Sequence, residues 1–183
     1  MMKKIIVILF AVFTTMTVNA QNYITRNGSA SFFSHTAVED IKAQNNEVAS
    51  VINAATGDVQ FKIAIKSFQF SKQAMQDHFN GSDYMNSEKF PKASFKGKIT
   101  NLSAVNFAKD GVYSITVQGD LNIKDVTKNI STTATITVKG GVVSASSTFK
   151  VKRKDYNVVG ESFVQKKIAE DIEITINCNY QKQ

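Results

Sequence analysis

The side chains able to do chemistry are few in this sequence, and they are scattered. There are two histidines, His35 and His78, and one cysteine, Cys178. A metal centre needs three or four His, Cys or carboxylate ligands at short, recognisable spacings, and neither histidine has such neighbours. His35 ends an alternating stretch with no obvious acidic partner nearby. Many serines are present, but none stands in a G-x-S-x-G elbow. Cys178 has no nucleophile signature around it. It continues the alternation Ile172, Ile174, Ile176, Cys178, Tyr180, which makes it a small buried hydrophobe rather than a reactive thiol. Lys139, Gly140 and Gly141 form a hairpin turn, not a phosphate loop, and no two carboxylates can be placed together from spacing. These residues point away from an enzyme, a metal or a cofactor.

One basic stretch needs separate reading. If residues 150–154 are a strand, Lys150, Lys152 and Lys154 share one face while Val151 and Arg153 share the other. The lysines then form a solvated outer face. Arg153 points inward, where a cation must be paired or reach a rim. It is read as a structural pin ahead of a contact for a polar ligand head.

The elements that position these groups show two-residue alternation, the mark of half-buried strands. It runs through Val59–Ile65, Phe95–Ile99, Val117–Ile123, Ile130–Val138, Val143–Val151 and Ile168–Tyr180, with weaker stretches at Ala30–Ser34 and Val48–Ile52. Turn chemistry at Ala55–Asp58, Lys109–Gly111 and Lys139–Gly141 separates several of them. About eight strands with one apolar face each predict a closed antiparallel barrel or a sandwich. Between the fourth and fifth runs, Ser71 is a plausible N-cap for a short helix stopped by Asn80 and Gly81. Met75, His78 and Phe79 fall on one face of it. With Tyr84, Met85 and Phe90 they make an aromatic- and methionine-rich crossover, suited to a lid over one end of a barrel or to sealing its core. His78 on such a face reads as a packing residue.

The first 20 residues read as a secretory signal peptide: a basic start at Lys3 and Lys4, an apolar run from Ile5 to Phe13, and a compact Val18-Asn19-Ala20 cleavage site. The apolar run is too short for a spanning helix of roughly 20 residues. The domain is then expected over residues 21–183, periplasmic or secreted, with 20 basic against 15 acidic residues and a charge of +5. That balance gives no strong pull towards nucleic acid; it is compatible with transient visits to an anionic membrane surface. With one cysteine there is no internal disulfide framework.

Three stretches, in order, resemble the YceI-like (polyisoprenoid-binding, lipocalin-like) family. Residues 77–95 are similar to its pattern of H-L/F, D-F/Y, K-Y/F-P, a small residue and F, here through His78, Phe79, Asp83, Tyr84, Phe90 and Pro91. Residues 119–128 resemble its G-x-L-T-I-x-G-V-T-K hairpin through Gly119, Leu121, Val126, Thr127 and Lys128. Arg153, Asp155 and Tyr156 resemble its R-x-D-F/Y element. The chain departs from the pattern at residues 42–48, at Asp125 in place of the hairpin glycine, and in having no tryptophan.

The resemblance implies an exported, all-β, eight-stranded antiparallel lipocalin-like barrel with a short helical crossover, enclosing a polyisoprenoid or an isoprenoid quinone. On that reading Phe32, Phe61, Ile63, Phe95, Leu121, Ile136, Phe149 and Ile174 line the interior. Met75, Phe79 and Met85 cover one end, His78 is a further ligand-binding candidate, and Arg153 is the candidate polar contact. The rival expectation is a structural or interaction barrel with a solid core and no ligand.

Overall fold

The structure, a computed structural model, describes residues 21–160 and 162–183. The segment expected as a signal peptide, residues 1–20, lies outside the described residues. Strands β1 (Asn22–His35), β2 (Asp40–Asn53), β3 (Asp58–Ala64) and β4 (Gln69–Phe70) precede a helix α1 (Gln73–Asn80). Strands β5 (Lys92–Ile99), β6 (Gly111–Ile123), β7 (Val126–Lys139), β8 (Val142–Lys152) and β9 (Asp171–Lys182) follow. The eight long strands run β1-β9-β8-β7-β6-β5-β3-β2, and pairing of β2 with β1 closes the ring. Every pairing in the ring is antiparallel. β4 is a two-residue appendage on Ala43 and Gln44 of β2. Closure removes the two free edges that an open sheet would have, although β7 and β8 are paired over only part of their length.

The early strands are longer than alternation alone indicates. In β1 the buried residues are Tyr23, Thr25, Gly28, Ala30 and Ser34, so the inward phase slips between Thr25 and Gly28. The register with β2 shifts there and again before Ala30. A bulge inserts one residue and reverses the side-chain phase. This hides a continuous strand behind Arg26 and Asn27.

Two glycines set the close approach of β5 and β6. Gly97 and Gly119 face each other in register. A Cβ on Gly119 would come within 2.3 Å of Gly97 Cα, and one on Gly97 within 2.6 Å of the Phe95 ring. Only hydrogen fits at either position. At the β6–β7 turn Lys124 and Asp125 both have positive φ, 51° and 59°, the conformation of a two-residue hairpin. Aspartate tolerates it better than most residues, which accounts for Asp125 where the family pattern has glycine.

Strand direction gives the barrel two unlike ends. One carries the chain's Asn22, the β2–β3 turn, the β5–β6 connection and the Gly140–Gly141 hairpin. There Phe107 stacks on Tyr23 at 5.2 Å between ring centroids, and Val48, Ile136 and Val143 have no exposed surface. The other end carries the β1–β2 turn, the α1 crossover, the β6–β7 turn and the β8–β9 connection. Here β8 stops at Lys152, and Arg153–Tyr156 form a 3-10 turn, so the expected strand through Lys154 ends two residues early. β9 likewise begins at Asp171, not Ile168.

Candidate functional site

Between the packed end and the α1 end the barrel is hollow. The cavity has a volume of about 560 Å³. Its walls come from inward-facing residues of the long strands and from the crossover. Phe32, Phe61, Ile63, Phe95, Leu121, Phe149 and Ile174 all lie on that wall, and Met75, His78, Phe79, Met85 and Arg153 join them at the α1 end.

Ile136 does not. It shares the inward phase of β7 but lies deeper, in register with Tyr113 and Ala145, and is wholly enclosed in the packed end with Val138, Val143 and Cys178. Alternation fixes the face of a strand, not the depth along it. The solid-core expectation therefore fits only that end of the barrel.

The α1 end is covered by an aromatic cluster. The Phe79 ring lies 5.4 Å from Phe32, 5.7 Å from Phe68 and 5.1 Å from Phe70. Phe68 and Phe70 were not singled out from the sequence, although they alternate around Gln69 just before the helix. α1 itself is lightly held. None of its residues is buried, and its N-cap position is Lys72, with no side-chain cap bond; Ser71 does not cap it. The helix ends where Gly81 donates its N–H to Asp77 O and His78 O. Beyond it, Met85 is buried and donates its N–H to Phe79 O at 3.0 Å.

Arg153 is 6% exposed and acts as a pin. Its Nε donates to Ala169 O at 3.0 Å, and Nη1 donates to Val158 O at 3.0 Å and to Val159 O. Asp155 faces solvent, and no carboxylate of the described residues pairs with the guanidinium. A planar fork that donates to three carbonyls ties both ends of the β8–β9 connection together. The β8–β9 connection is held to β1 as well, where Ala169 N–H donates to Ser34 Oγ at 2.8 Å. Lys124 adds a second tie, donating Nζ to Tyr84 O and to Asn157 O at 2.9 Å. Its burial lowers its pKa, with Asp83 opposing.

The outer lysines of β8 and of the turn after it are matched by acids. Lys150 stands opposite Glu173 and Lys152 opposite Asp171, while Lys154 Nζ lies 4.0 Å from Glu170. That face is solvated and locally neutral. His35, read as unpartnered from the sequence, has its Nδ1 2.6 Å from Asp40 Oδ1 on the exterior, away from the cavity. His78 is exposed at the cavity rim. The two histidines and a carboxylate do not converge in the interior, and no metal-holding group of His, Cys, Asp or Glu occurs among the described residues.

The cavity wall is mostly apolar, with polar groups at particular places. Glu39, His78 and Lys167 stand towards the α1 end, and Thr132 and Ser147 face each other across β7 and β8. Alternation carries Thr132 and Ser147 on the inward phase of their strands, but of these polar groups only His78 was singled out as a site residue. In the packed floor Ser50 and the Tyr180 hydroxyl satisfy one another at 2.8 Å. Burial pushes the Cys178 thiol up to about 11, partly offset by Tyr180, so it is a protonated packing group.

Residues 16–180 match the sequence pattern of the YceI-like domain. The chain belongs to the YceI-like domain family. No curated protein matches it at significant similarity. Solved structures share its fold. One from Burkholderia cenocepacia, BcnA, is 18% identical with a TM-score of 0.69, covering 84% of this chain and 96% of that one. A polyisoprenoid binding domain from Saccharophagus degradans implicated in plant cell wall breakdown is 12% identical with a TM-score of 0.76, covering 88% and 98%. The Campylobacter jejuni YceI protein is 20% identical with a TM-score of 0.61, covering 81% and 90%. The expected family and the eight-stranded barrel with one short helix are thus established for this chain.

Proposed function

We propose that this YceI-like barrel is an exported binding or carrier protein for a long-chain apolar lipid, a polyisoprenoid or an isoprenoid quinone, held in the barrel interior. The observation that carries this reading is the cavity itself, enclosed by phenylalanine, isoleucine and methionine side chains. If each carbon fills the ~30 Å³ that a water molecule takes in the liquid, the cavity of about 560 Å³ has room for on the order of 20 chain atoms. Each methylene removed from water contributes about 0.8 kcal/mol. Affinity then needs no special chemistry, only a dry tunnel and a few polar groups at its openings. The name of the Saccharophagus degradans domain supports the isoprenoid class, and the amino-terminal sequence supports export. Transient contact with a membrane surface would supply and receive such a ligand. The scattering of His35, His78 and Cys178 supports a binding role over catalysis.

Native mass spectrometry of the protein purified from its own host, followed by organic extraction, tests the reading. A homogeneous long-chain ligand in stoichiometric amount is the expected result. Persistent absence of lipid, together with no uptake of added isoprenoid, would return the protein to a structural role.

A further inference from the structure

The seam between β7 and β8 differs from those flanking it. β6 and β7 pair along their full length, from Gly111 opposite Val138 to Ile123 opposite Val126. β8 and β9 pair from Val143 opposite Tyr180 to Lys152 opposite Asp171. β7 and β8 pair only from Lys139 opposite Val142 to Thr135 opposite Ser146. Beyond that point both continue as strands towards the α1 end, β7 back to Val126 and β8 on to Lys152, with no ladder between them. The peptide groups that β7 turns towards β8 over residues 126–134 have no strand partner. Without a ladder such groups must be met by side chains or by water, so backbone pairing does not hold the two strands together there.

Side chains, not backbone, bridge the gap. Ser147 Oγ donates to Thr133 O at 2.7 Å and lies 3.5 Å from Thr132 Oγ1. Past this latch the inner lips are apolar, with Ile130 on β7 and Phe149 and Val151 on β8, all on the cavity wall. At the α1 end the 3-10 turn closes the gap, with Tyr156 buried against the cluster that holds Leu121 and Val151. The result is a window in the barrel wall, bounded by a ladder on one side and a pinned turn on the other.

We propose that this window is a lateral portal, through which the hydrocarbon chain of the ligand passes between β7 and β8 into and out of the cavity. The proposal rests on the reading of that cavity as a lipid site. Parting a fully paired seam breaks a run of ladder hydrogen bonds, whereas parting this one breaks only the contacts of the Ser147 hydroxyl with Thr133 O and Thr132 Oγ1. Sideways entry also leaves the Phe32–Phe68–Phe70–Phe79 cluster and the Arg153 pin undisturbed. A polar end group would come to rest at the lip, beside Thr132 and Ser147, without crossing the apolar interior. The greased inner lips and the hydrated outer ones suit a chain drawn in tail first.

A reversible latch tests this. Thr132→Cys with Ser147→Cys places two thiols where the hydroxyls already meet, and the native Cys178, buried and protonated, does not compete. Stopped-flow fluorescence follows uptake of cis-parinaric acid by the oxidised and the reduced form of the same variant. The portal predicts that oxidation slows uptake by about tenfold or more and that dithiothreitol restores it. Equal rates in the two forms would overturn the portal while leaving the cavity reading intact. No binding by either form, or by the unaltered protein, would sink the cavity reading and the portal with it. Ser147→Ala, which removes the latch without a cross-link, gives an independent check: release should quicken about threefold, and an unchanged release rate contradicts the proposal.

Discussion

Near the termini, Ile136, Val48 and Val143 are fully enclosed and Phe107 stacks on Tyr23. Further along the same strands Phe61, Phe95 and Phe149 point inward just as strictly, yet they stay half-buried around an empty volume. The packed half has lost none of its dispersion contacts, whereas each side chain facing the void lacks partners on one side. The floor therefore holds the barrel together, and the hollow half is available for a ligand. Substitutions should sort by depth along the axis rather than by residue type.

The largest effect is expected at the floor. Ile136→Ala should cost about 3 kcal/mol of unfolding free energy, as for well-packed core residues, while Ile63→Ala on the cavity wall should cost less than about 1.5 kcal/mol without ligand. Urea denaturation measures both, and equal costs would erase the distinction. Next comes the pin. Arg153→Met leaves three carbonyls without their donor and should cost about 3 kcal/mol, with Arg153→Lys recovering little because an ammonium cannot span the same acceptors. Full recovery by lysine would mean that charge, not the fork, matters.

A pH dependence belongs to the floor as well. Burial raises the pKa of Cys178 from 9.0 to about 11, and that of Tyr180 well above its ordinary value, with Tyr23 raised also by burial. Each stays neutral when folded but ionises at its ordinary pKa once unfolded. Their contribution is complete below about pH 9 and is lost as pH rises towards 11 and beyond, on the order of 2 kcal/mol for the thiol alone. Lys124, whose pKa is lowered, works in the opposite sense. Urea midpoints that stay level from pH 8 to about pH 11 would contradict this account of the floor.

The smallest expected effect on the fold, and a clear one on the ligand, is at the cover. Phe79→Asp should weaken isoprenoid uptake about tenfold while leaving the far-ultraviolet circular dichroism of the sheet unchanged. Unaltered uptake would show that α1 does not seal the cavity.

Much of this was legible in the residues. Alternation exposed β3 and the strands from β5 onward, though not the two-residue β4, and the spacing of Met75, His78 and Phe79 gave the helix face. β1 and β2 were harder, because the bulge at Arg26–Gly28 breaks the two-residue rhythm on which the reading depends. Ile136 and Ile174 look alike in sequence; the stagger of the strands decides which is floor and which is wall, and one strand's pattern does not encode it. Arg153 kept its inward direction although the strand it was assigned to ends before it. The half-paired seam left no local signature, since β7 and β8 each read as a good strand and only their mutual register fails.

The most direct test is an NMR titration of methyl-labelled protein with an isoprenoid alcohol of about 20 carbons, the length the cavity volume allows. The methyls of Ile63, Leu121, Ile174 and Met85 should shift and saturate together at one equivalent, while those of Ile136, Val138 and Val143 stay in place. Shifts confined to the outer surface, or none at all, would contradict the claim that the hollow half holds the ligand.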